Sequence, residues 1–86
     1  MSRYFFDFDD AYFAALDEHG VECADHVTAS SEALKALCEI AEDHPERYAG
    51  RKLRLTVRDS ANRKVLTAFL NLSIAWHVEA EHSQAA

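Results

Sequence analysis

The stretch Phe5-Phe6-Asp7-Phe8-Asp9 sets two carboxylates one residue apart inside an aromatic run. On a strand, an Asp-x-Asp pair can serve phosphoryl transfer: one carboxylate attacks phosphorus, the next exchanges protons, and Mg²⁺ bridges them. That chemistry also needs a parallel sheet and further loops carrying lysine and more acids, which 86 residues cannot build. Asp9 and Asp10 therefore read as turn formers, because Asp hydrogen-bonds its own backbone two residues on. Asp7, Asp9, Asp10 and Asp17 offer the oxygen ligands a hard cation wants. The D-x-D-x-D-G loop is absent, however, and the two turns holding them are expected at opposite ends of one strand.

The two cysteines, Cys23 and Cys38, match no metal or redox spacing. Cys23 precedes a predicted helix, whose N-terminus lowers a thiol pKa, and His26 is the one base placed near it. Cys38 falls beside Leu34 and Ala41 and is expected to be a buried, inert thiol. His77, Glu79, Glu81 and His82 are residue types that suit Zn²⁺, but a polar terminal stretch is a poor place to hold four ligands. His19 and His44 sit at turns and helix ends. The expectation is a non-enzymatic protein with no catalytic residue, no metal and no cofactor.

A third group is built for contact. Residues 52–58 alternate Leu53, Leu55 and Val57 with Lys52, Arg54, Thr56 and Arg58, which gives a half-buried strand with a basic outer face. Phe5 and Phe69 are expected on that same face, beside Arg54 and Arg58. Exposed aromatics on a sheet mark a contact surface, and the expected partner is a second copy in a homodimer, the commonest use of one, or another protein. The alternative is nucleic-acid binding, with Phe5 and Phe69 stacking on bases and Arg54, Arg58 and Arg63 on phosphates. The net charge of −6 speaks against it. Residues 1–46 hold twelve acids against Arg3 and Lys35, and residues 47–64 hold seven bases against Asp59. Such a division lets the halves attract each other within the fold or between copies.

The elements that must position these residues follow from pattern. Residues 28–43, TASSEALKALCEIAED, carry Leu34, Leu37, Ile40 and Ala41 on one helical stripe widened by Ala29, Ala33 and Ala36. Asp25 and Thr28 are the candidate N-caps, and Pro45 ends the helix near His44. The other segments read as strands. Residues 3–8 put Tyr4, Phe6 and Phe8 on one face, and Arg3, Phe5 and Asp7 on the other. Residues 12–16 form a second strand, and Val21–Cys23 is a short extended lead into the helix. After a loop at 46–50 come residues 52–58, the hairpin turn 59–63 with Asn62 in left-handed geometry, and a last strand over 64–76. Leu66, Ala68, Leu70, Leu72 and Ile74 share its core face, and Trp76 closes the core edge. The fold class is α+β: β-β-α-β-β, a four-stranded antiparallel sheet with one helix packed on one face. The domain spans 1–76, and 77–86 is a frayed polar tail. No apolar run spans a membrane, and acidic residues replace the apolar stretch of a signal peptide, so a cytoplasmic protein is expected.

RYFFD at residues 3–7, D-E-x-G at 17–20, Val21-Glu22, Asp25, EALKAL at 32–37 and V-R-D at 57–59 follow in this order. This resembles a family of small bacterial domains of unknown function with an N-terminal RYFFD strand and a D-E-x-G turn. The likeness covers about residues 3–72. Where the family has Asp-Gly after the first strand, this chain has Asp10-Ala11, and Asn62 stands where the family's second hairpin has Gly. The resemblance implies the fold and a soluble bacterial setting, and brings no activity and no catalytic residues.

Overall fold

The computed structural model describes residues 1–12 and 14–78. The elements run β1 (Ser2–Asp9), β2 (Ala14–Ala15), β3 (Val21–Cys23), α1 (His26–Asp43), a 3₁₀ turn (Pro45–Tyr48), β4 (Lys52–Asp59) and β5 (Lys64–Asn71). The expected α+β architecture is present: one helix on one face of an antiparallel sheet. The sheet order is β2-β1-β4-β5, and β3 pairs with β1 as a fifth strand. β2 and β3 share one edge of β1. β2 takes its C-terminal end, where Phe8 faces Ala15, and β3 takes its N-terminal end, where Tyr4 faces Val21.

Period two sorts the side chains as expected. Phe6 faces Val57, Phe8 faces Leu55, and Leu53 faces Leu70 on the helix side of the sheet. Leu53, Leu55 and Val57 are fully buried there with Leu37. Ala29, Ala33 and Ala41 are buried against them, and their small side chains let the helix approach the sheet closely. Asp25 is the N-cap, its side chain accepting from the Thr28 amide at 2.8 Å, and His44 is the C-cap. Asn62 has φ 65, the left-handed geometry expected in its turn.

Five expectations are corrected. The second strand is two residues long rather than spanning 12–16 (Phe13 lies outside the described residues), and the lead Val21–Cys23 is itself a strand. The loop at 46–50 begins as a 3₁₀ turn that buries Tyr48, an aromatic the pattern did not mark as core. The helix is rotated from the expected stripe: Leu34 is 54% exposed, and Cys38 is exposed rather than buried. The buried line is Ala29, Ala33, Leu37 and Ala41, spaced four residues apart, and it leaves Leu34 on the flank facing away from the sheet. β5 ends at Asn71, not at 76, so Trp76 is 65% exposed and closes no core edge. The reason is β4, whose first residue Lys52 already stands opposite Asn71.

Candidate interaction surface

The open face of the sheet carries Phe5, Asp7 and Asp9 from β1, Arg54, Thr56 and Arg58 from β4, and Thr67 and Phe69 from β5. The acidic and basic halves of the chain meet here. Arg54 donates twice to Asp9, Nε to Oδ1 at 2.8 Å and Nη2 to Oδ2 at 2.6 Å. Arg58 donates Nε to Asp7 Oδ2 at 2.5 Å and Nη2 to Asp7 Oδ1 at 3.1 Å. These forked pairs are the strong form of the arginine–carboxylate contact. The Arg58 hydrogen bonds hold the Asp7 carboxyl below its ordinary value, and those of Arg54 do the same for Asp9.

Arg58 reaches further. Its Nη2 donates to the Asp17 carbonyl at 3.0 Å and its Nη1 to Asn62 Oδ1 at 3.0 Å. Its guanidinium lies 5.0 Å from the Phe5 ring centre, within cation–π range. Asp17 completes the lock. Its amide donates to Asp7 Oδ1, while its carboxylate accepts from the Phe6 amide at 3.1 Å and from the His19 and Gly20 amides at 3.1 Å each. Burial pushes the Asp17 carboxyl up, and the amides of Phe6, Gly20 and His19 more than offset this, leaving it lowered. Gly20, at φ +73, lies flat against β1: a Cβ there would stand 2.8 Å from the Tyr4 carbonyl oxygen. The sequence marks Asp17 and Gly20 as turn formers. It does not show that the turn is bolted to β1.

The four expected contact residues thus divide. Phe5 is half-buried under Arg58, and both belong to the lock. Arg54 is paired but remains half exposed, and Phe69 is 53% exposed with the Lys52 ammonium 5.3 Å from its ring centre. Between Phe69 and the exposed Leu16 lies a shallow trough floored by Asp9, Arg54, Thr56 and Thr67. The remaining chemistry-bearing residues do not converge. Cys23 is buried, and burial pushes its thiol up, away from the reactive thiolate. His26 stacks edge-on against Tyr4 instead. Asp7 and Asp9 hold arginines on an antiparallel sheet, where the phosphoryl-transfer reading required a parallel one. Among the described residues no three His, Cys, Asp or Glu side chains are grouped to hold a metal ion. Glu79, Glu81 and His82 lie outside the described residues. No helix there is long and apolar enough to cross a membrane.

Fold and surface together define a small α+β domain whose open sheet face is tied by the Arg54–Asp9 and Arg58–Asp7 pairs between β1 and β4. The chain belongs to the domain of unknown function DUF6894, whose family model matches residues 3–71. No curated protein and no solved structure shows significant similarity to it.

Proposed function

We propose that this domain is a non-enzymatic binding module, that its first partner is a second copy of itself, and that the contact centres on β5. The observation that carries this reading is the exposure of Phe69 beside Arg54, whose charge is already matched by Asp9. A surface of exposed apolar groups beside neutralised charges suits a protein. The nucleic-acid alternative draws on the same residues and is weakened by the same ion pairs. Phosphate would have to displace Asp7 from Arg58 and Asp9 from Arg54, against a net charge of −6. A cytoplasmic setting accords with this reading.

The test is the solution mass of the parent chain by sedimentation or light scattering across a concentration series. A reversible dimer is the expected result, weakened by Phe69→Glu. A monomer at every concentration overturns the proposal. Salt-sensitive binding of single-stranded RNA by that monomer would revive the alternative.

A further inference from the structure

We infer that two copies pair edge to edge through β5, each laying residues 72–78 as an arm along the β5 edge of the other. This rests on the self-association reading and supplies its geometry. The starting observation is a mismatch between pattern and pairing. From Lys64 to Val78 the sequence keeps one strand period: every even position from Leu66 onward is apolar, running Leu, Ala, Leu, Leu, Ile, Trp, Val. A strand of that length needs a neighbour of that length. β4 supplies one only to Asn71, with a single further bridge from Ala49 to Leu72. Residues 73–78 lie in no strand and are exposed, Ile74 by 64% and Val78 by 62%.

The same strand leaves its outer edge open. Among the described residues β5 is last in the sheet order, so the backbone groups on its far side meet no neighbouring strand. Sheet edges are ordinarily guarded by lysine, proline or a bulge. Residues 66–71, LTAFLN, contain no charge and no proline, and the one register shift lies toward the Lys64 end. Among the described residues the far side of β5 has no strand beside it and residues 73–78 lie in no strand, and a second copy supplies a strand neighbour to both.

Face and charge select the register. Directly opposite residues of an antiparallel pair share a face, so the apolar side stays continuous only where even positions meet even positions. With Asn71 on the two-fold axis, the whole of 64–78 pairs with its copy: Leu66 meets Trp76, Ala68 meets Ile74, and Leu70 meets Leu72. In one copy Leu66, Ala68 and Leu70 are only half-buried, and the arm's apolar side chains arrive beside them. The chain is basic just before this segment (Arg63, Lys64) and acidic just after it (Glu79, Glu81), the order that an antiparallel pairing of copies brings together. The contact is isologous and closed, and it adds main-chain hydrogen bonds as β-augmentation does.

The test uses the full chain in a Cys38→Ser background, which removes the exposed thiol. Ala75→Pro deletes a strand donor that this register aims at the partner, at an exposed site, and should raise the dimer dissociation constant about tenfold or more with unchanged far-UV circular dichroism. Asn71→Cys places a thiol opposite its own copy within disulfide reach, so mild oxidation should give a covalent dimer on a non-reducing gel. A parent that is monomeric throughout overturns this inference together with the self-association reading. A dimer that ignores Ala75→Pro and does not cross-link through Asn71→Cys, yet dissolves with Phe69→Glu, overturns this inference alone and moves the contact to the open face.

Discussion

The two edges of this sheet are finished in different ways. At the β1 edge, β2 and β3 each cover one end, and the Asp17 carboxylate takes the Phe6 amide between them. Arg58 then ties Asp7 and the Asp17 carbonyl together across the open face. At the β5 edge, alternate residues present their backbone groups outward, and among the described residues no strand covers them. The contrast teaches that a side chain can stand in for a missing strand when it brings acceptors to the exposed amides. It also separates two uses of the sequence. Charged and glycine positions close one edge, and apolar alternation is left to work at the other.

The largest effects should come from the core that both edges share. Leu37→Ala removes a side chain that is 1% exposed and should lower stability by about 2–5 kcal/mol, read by denaturant unfolding. Leu34→Ala, one turn away on the exposed flank, should stay within about 0.5 kcal/mol. Equal losses would mean that the helix presents the other flank to the sheet. Next come the glycines. Gly20→Ala combines φ +73 with a Cβ pressed on the Tyr4 carbonyl, and should cost about 2–4 kcal/mol. Gly50→Ala has φ +77 but open space around it, so it should cost about 1 kcal/mol, the left-handed penalty alone. If the two cost the same, the D-E-x-G turn is not docked on β1 and the locked edge is looser than drawn.

Much of the fold was legible in the sequence because period two and period 3.6 write themselves into apolar spacing. The inner faces of β1, β4 and β5, the Asp25 cap and the Asn62 turn all follow from local chemistry. What failed was tertiary. The rotation that buries Ala33 and exposes Leu34 depends on how close the helix comes to the sheet, which no helical period encodes. The end of β5 depends on where β4 begins, a property of another segment. For the candidate surface, the placement of Phe5, Arg54, Arg58 and Phe69 on one face was readable. The partners of the two arginines were not, because pairing Asp7 with Arg58 requires the register between β1 and β4. Two of the bases that read as a basic face, Arg54 and Arg58, are matched in the folded chain by Asp9 and Asp7.

Acid should act on the locked edge as well as on the Asp25 cap and the Asp59 turn, whose carboxyls are also held low by hydrogen bonds. Asp7, Asp9 and Asp17 are all held below their ordinary values, the first two by arginine and the third by amides that outweigh its burial. A carboxyl whose folded pKa lies below its unfolded value, near 3.9 for Asp, stabilises the fold in full above that value. That contribution is lost as pH falls through the folded values. The parent should therefore lose stability steeply below about pH 4. Asp7→Asn should be less stable at neutral pH and show a shallower decline on acidification. Parallel pH profiles for the two proteins would remove Asp7 from the lock.

The smallest perturbation is no substitution at all. Native-state hydrogen exchange reads each edge amide in place. The Phe6 amide, held by Asp17, should be protected although no strand covers it. Along residues 66–70, alternate amides point to β4 and to the open edge, so a lone copy should show slow and fast amides in turn. At concentrations where two copies pair through β5, the fast set should slow while the Phe6 amide stays unchanged. If the β5 amides exchange alike at all concentrations while the solution mass doubles, the copies meet elsewhere, and the open edge is not where this domain does its binding.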